Sequence, residues 1–219
     1  MLQTIRPSTD NLQSRVPAHA KLKIGVILAI WFLLVIVLGK LGAFAGPPGR
    51  PPLPILFAVL APLALFFTAS RLSPWFHDLA MAADLRILVS MQAWRAGGLG
   101  FLALYAHRVL PGFFAFPAGL GDIAIGFTAP LVLLTLLRRP DFVTGRNFRR
   151  WNWLGILDLV VALTLGALGS MLAKGVPGEI TTGVMALMPD VIIPAFLVPI
   201  FLMLHMVSLM QSRRLRAAS

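Results

Sequence analysis

Apolar residues along this chain are grouped in long uninterrupted blocks, with proline, glycine and basic residues between them. The blocks show neither the stripe of a soluble amphipathic helix nor the alternation of a half-buried strand. Each is close to the ~20 residues that a helix needs to cross ~30 Å of hydrocarbon. The pattern predicts an all-α, polytopic membrane protein with six transmembrane helices, at about 24–41, 53–70, 87–106, 119–137, 153–172 and 182–210. These form one membrane domain over 24–210, preceded by a polar cytoplasmic tail at 1–23 and followed by a basic cytoplasmic tail at 211–219.

The breaks between blocks carry their own chemistry. Gly46-Pro47-Pro48-Gly49-Arg50-Pro51-Pro52 forbids helix after the first block, because proline lacks an N–H and clashes with the preceding turn. Ser73-Pro74 reads as the N-cap and first residue of a new helix. It precedes a stretch with His77, Asp78, Asp84 and Arg86 that is expected along the membrane surface. Phe113, Phe114 and Phe116 are expected in an outer loop or half-helix, and Trp151 and Trp153 as interfacial aromatics. Pro189, Pro194 and Pro199 make the sixth span the most irregular. Ala43-Phe44-Ala45 after the first block resembles a signal-peptide cleavage site; the long polar stretch ahead of it and Lys40 beside it favour a retained anchor.

Composition supports this layout: 58% of the 219 residues are hydrophobic and 12% charged, about half the charge of a soluble domain. The net charge of +11 would suggest nucleic acid in a soluble protein, but here the Lys and Arg residues stand at the ends of the blocks, so no nucleic-acid partner is expected. With six spans and the N-terminus inside, 14 of the 19 fall on the inner side, namely 6, 15, 21, 23, 71, 86, 138, 139, 146, 149, 150, 213, 214 and 216. Four fall outside (40, 50, 108, 174), and Arg95 is within the membrane. Both termini are therefore expected in the cytoplasm, with the protein integral to a bacterial plasma (inner) membrane. The absence of cysteine removes disulfides, thiolate metal sites and thiol chemistry.

Ionisable groups within spans are costly and usually face a partner or a water-filled cavity. They are Arg95, Asp122, Asp158, Asp190 and His205, with Gln92 beside Arg95. At a rise of ~1.5 Å per residue, Gln92, Arg95, Asp158 and His205 fall about 8–12 Å from the inner ends of their spans. One polar layer is expected there, with Arg95 paired to Asp158. Asp122, one turn into its span, and Asp190, after Pro189, are expected in a second, outer layer; Asp122 is also placed to cap its helix. Ala96 with Gly100, and Ala162, Gly166 and Ser170, have the small-xxx-small spacing of close helix contacts.

Gly97-Gly98-Leu99-Gly100 follows no strand and is no nucleotide loop, and no H-E-x-x-H, G-x-S-x-G or paired acidic motif occurs. No catalytic residues, metal or cofactor are therefore assigned. Broken helices beside intramembrane carboxylates favour a small-solute or ion transporter or permease. The competing reading is a non-catalytic membrane subunit or assembly factor whose charges only hold helices together. An enzyme acting on a lipid or quinone ranks third. Candidate partners are the lipid bilayer, a small solute or ion, and another membrane protein or a second copy of the chain.

Overall fold

The computed structural model describes residues 17–218. All elements among them are helical: α1 (Ala18–Lys40), α2 (Leu53–Leu72), α3 (Pro74–Met81), α4 (Leu85–Met91), a 3-10 segment (Gln92–Gly98), α5 (Leu99–Ala106), α6 (Gly112–Arg138), a 3-10 turn (Pro140–Thr144), α7 (Arg146–Leu172), a 3-10 turn (Thr182–Ala186), a π-helical turn (Ile193–Leu197) and α8 (Val198–Ala217). Six of these stretches are long and apolar enough to cross a membrane: α1, α2, Leu85–Ala106, α6, α7 and Ile193–Ala217. The protein is thus a multi-pass helical membrane protein. Large apolar side chains such as Leu60, Phe127, Leu131, Leu154 and Leu157 remain exposed on the bundle's outside, as lipid-facing positions require.

The breaks fall where the turn residues demand. Pro52 precedes α2, and Ser73 caps α3 by accepting from the Phe76 amide at 3.3 Å. Asp84 caps α4 through Arg86 N at 2.9 Å. Several boundaries nevertheless differ from the sequence expectation. α1 starts at Ala18 and α8 runs to Ala217, so both helices extend past the expected span ends, through residues 18–23 and 211–217; residues 1–16 lie outside the described residues. α6 starts at Gly112, seven residues early, directly after Pro111, and runs on through Pro117. It absorbs Phe113, Phe114 and Phe116 into helix. α7 begins at Arg146 and carries Trp151 inward, where it is 9% exposed rather than interfacial. The sixth span begins only at Ile193, and 182–192 forms a 3-10 turn and a loop with a cis Met188–Pro189 bond.

α8 is the most buried spanning helix and α1 the least. Val198, Phe201 and Leu202 of α8 pack with Val59 of α2 and Leu159 of α7. Phe66, Leu88, Val89, Ala129, Leu136, Phe148 and Val207 fill the end that carries the arginine-rich turns. The opposite end is closed by Phe101, Leu110, Phe114 and Met185. α1 leans on the loop and π-turn through Val35 against Val191 and Ala195, and Trp31 meets Phe196 edge-on at 4.9 Å. The two ends are called below the basic end and the loop end.

Candidate functional site

Arg95 sits in the 3-10 segment that interrupts the third span. Gly97 and Gly98 follow it, and glycine is a poor helix former. Tertiary contact explains the close fit here. A Cβ on Gly98 would come within 2.5 Å of Asp122 Cβ and 2.8 Å of Gly119 O, and one on Gly126 would collide with the Ala96 amide and lie 2.8 Å from Arg95 C. Bare glycines on both partners let the 3-10 segment lie backbone to backbone on α6, as small residues do at membrane interfaces. Gly100, expected at such a contact, has nothing within 4 Å of its Cβ position.

That approach drives the Arg95 side chain into the bundle, where it is 2% exposed. Its Nε donates to Asp122 Oδ1 at 2.7 Å, Nη2 donates to Asp158 Oδ2, and Nη1 donates to Gly155 O at 3.2 Å and to His205 Nε2 at 3.2 Å. Because a guanidinium only donates, Nε2 must be the accepting nitrogen. Nδ1 then carries the proton and donates to Asn152 Oδ1 at 2.9 Å, and Asn152 Nδ2 donates to Phe148 O at 2.9 Å. His205 is therefore neutral in this arrangement. Trp151 covers the imidazole edge-on at 5.4 Å and donates to Thr128 Oγ1 at 2.9 Å.

Glycines also make room for the acceptors. A side chain on Gly121 would overlap the Asp158 carboxylate, and one on Gly155 the His205 ring. The Arg95–Asp158 contact expected from depth is present. Asp122 belongs to the same centre, which corrects its assignment to an outer layer and to a helix cap. With α6 starting at Gly112, Asp122 lies ten residues in, about 15 Å from the helix start, whereas Asp190 stays in the loop before the π-turn. No hydrogen bond or ion pair involves the Asp190 side chain among the described residues. Gln92, 1% exposed, donates from Nε2 to Phe201 O at 3.3 Å, and its Oε1 has no partner among the described residues.

Sequence reading missed Asn152, Gly155 and Thr182 as residues of the site. Asn152 was hidden by placing the span start one residue after it. The glycines had a usable signal, since they recur on α6 and α7 beside the carboxylates.

The centre is unevenly sealed. Toward the basic end His205 and Asn152 are fully buried, and Ser208 follows at 2% exposure. Toward the loop end the Asp122 side chain keeps 16% exposure and opens on a cavity of about 260 Å³. The walls are mainly apolar, among them Phe101 of α5, Phe114 of α6, Leu159, Ala162 and Leu163 of α7, and Phe44 after α1. Ser170 and Thr182 supply hydroxyls. A second hollow of about 280 Å³, with Glu179 and Thr181, adjoins the first and shares Gly46, Ser170 and Gly183 with it. Glu179 holds the loop above it by accepting from the Lys174 and Gly175 amides at 2.8–2.9 Å. These backbone bonds hold its carboxyl below the usual glutamate range.

Residues 51–213 match the profile of a family described as Domain of unknown function (DUF8737). The matched stretch contains the whole ionic centre and leaves out α1. No curated protein and no solved structure matches the chain.

Proposed function

The chain belongs to the family described as Domain of unknown function (DUF8737), and within that family we propose that it is a small-solute or ion permease with its pathway through the Asp122–Arg95–Asp158 centre. The observation that carries this reading is the cavity from the loop end that stops on the Asp122 carboxylate. A charge in a span is costly in dry hydrocarbon and is tolerated beside a water-filled path. The irregular 182–197 segment lies in the wall of that cavity, through Thr182, Gly183, Met185, Ala186, Leu187, Ile193 and Pro194, and broken helices commonly accompany substrate sites in transporters. The dry half below Arg95 then acts as the closed gate. We orient the basic end to the cytoplasm of a bacterial inner membrane, following the excess of Lys and Arg there.

Cysteine placement tests the reading directly, because the chain has no cysteine of its own. Ala162→Cys should react with a membrane-impermeant thiol reagent added at the loop end. Ser208→Cys, below the centre, should react from the basic end in the fraction of molecules whose gate has opened. A Ser208→Cys that never reacts from either side, in intact membranes or proteoliposomes, overturns the permease reading.

The bonding of Arg95 to three neighbouring helices supports a second reading, a static staple in a non-catalytic membrane subunit or assembly factor. Each of its three guanidinium nitrogens has an acceptor. This reading expects Ser208→Cys to stay silent and the protein to purify with a stoichiometric partner.

A further inference from the structure

The cavity wall has a polar inventory of one kind. Thr182 Oγ1 spends its proton on Gly166 O at 2.7 Å, and Ser170 Oγ donates to Arg50 O at 3.4 Å. Both hydroxyls therefore offer only lone pairs to anything in the cavity. Asp122 uses Oδ1 for Arg95, and its Oδ2 makes no hydrogen bond among the described residues. No Lys, Arg, His, Asn, Gln or Trp side chain lines the cavity. An occupant that bonds to these side chains must therefore donate.

Charge counting selects among donors. With both carboxylates ionised, Arg95 contributes one positive charge and Asp122 and Asp158 two negative ones, while His205 is neutral as a hydrogen-bond acceptor. The centre thus holds one surplus negative charge on its cavity side, and a buried unpaired charge is costly. A monovalent cation relieves it. A calcium-like ion fits poorly, since it takes six to eight oxygen ligands and, with Asp122 Oδ1 on Arg95, the side chains offer Asp122 Oδ2, Ser170 Oγ and Thr182 Oγ1. Phe101 and Phe114, packed edge to face at 5.6 Å, add faces that attract a cation and cover an apolar body.

We infer that the cavity is a binding site for a small organic monocation, an ammonium on an apolar body, with the ammonium on Asp122 Oδ2 and the body along Phe101, Phe114 and Ala162. This rests on the permease reading and names its substrate class.

The test uses the full chain with Ala162→Cys in phosphatidylcholine proteoliposomes, and three probes of equal length: hexylammonium, 1-hexanol and hexanoate. Hexylammonium should slow thiol labelling saturably. 1-Hexanol should need a roughly tenfold or higher concentration, matching the loss of a charge-assisted bond, and hexanoate should give no protection. With Asp122→Asn added, hexylammonium protection should fall to the level of 1-hexanol. Equal protection by hexanoate, or amine protection untouched by Asp122→Asn, overturns the inference while leaving the pathway standing. No labelling of Ala162→Cys at all removes the pathway and this site together. Where Asp122→Asn does not fold, the three head groups on the Asp122 protein decide alone.

Discussion

Arg95 Nε donates to Asp122 Oδ1 at 2.7 Å, and the same guanidinium reaches Asp158 and Gly155 O on α7 and His205 on α8. One side chain from the third span therefore ties three other helices at mid-bundle. Lipid offers no hydrophobic drive for helices to associate, so packing and polar contacts of this kind hold the bundle together.

Arg95→Met should be the most destabilising single change in the centre. It leaves two carboxylates without their cation, and breaking a buried ion pair costs about 3–5 kcal/mol. Arg95→Lys should recover only part of this, because an ammonium cannot present Nε, Nη1 and Nη2 in a fixed fork. Asp158→Asn should cost less than Arg95→Met, since Arg95 keeps Asp122. Thermal unfolding in lipid nanodiscs ranks the three, and an Arg95→Lys protein as stable as the parent contradicts the geometry.

The glycines divide into two groups. Gly98→Ala and Gly126→Ala push a methyl group into facing backbone and should cost ~1–3 kcal/mol, as overpacking does. Gly97→Ala and Gly100→Ala meet open space. Gly100→Ala, in α5, should be neutral or mildly stabilising, since alanine is the better helix former by ~1 kcal/mol. The same unfolding assay separates the groups.

His205 should be seen as the neutral tautomer with its proton on Nδ1. Nitrogen-15 NMR of the imidazole reads this directly. Asn152→Leu removes the Nδ1 acceptor in a fully buried place, so it should cost ~1–3 kcal/mol for the unpaired donor. A His205 spectrum with the proton on Nε2 refutes the bonding order described for Arg95.

Glu179 should make the 174–179 loop sensitive to acid. Its carboxyl is held below the usual range by the Lys174, Gly175 and Val176 amides, so the stabilisation is complete above the unfolded value and disappears as pH falls through the folded one. Hydrogen exchange at the Lys174 and Gly175 amides, corrected for intrinsic rates, should show protection at neutral pH that fades in acid. Glu179→Gln should lack much of that protection at neutral pH, and unchanged protection in that variant counts against the loop bonding.

Much of this architecture was legible before any coordinates. The Arg95–Asp158 contact followed from depth, because two rigid rods of known rise bring residues at matching height within reach. The same arithmetic misplaced Asp122. The span was expected to start at residue 119, yet α6 starts at Gly112 and runs through Pro117. A start seven residues earlier moves the carboxylate by about 10 Å in depth. Asp190 was displaced in the opposite sense, since the prolines end the sixth span at Ile193 and leave it in the loop.

By itself the sequence determined that six segments are long and apolar enough to cross a membrane, and where the basic residues cluster. The free energy of placing a segment in hydrocarbon is largely a local sum over its own side chains, so a linear pattern carries it. Only the tertiary structure decided that Asp122 joins Arg95 and Asp158 and that it lines a cavity. Those outcomes depend on how far each helix is rotated and how closely its backbone approaches the next, and here they are controlled by Gly98, Gly121, Gly126 and Gly155, whose partners lie far along the chain.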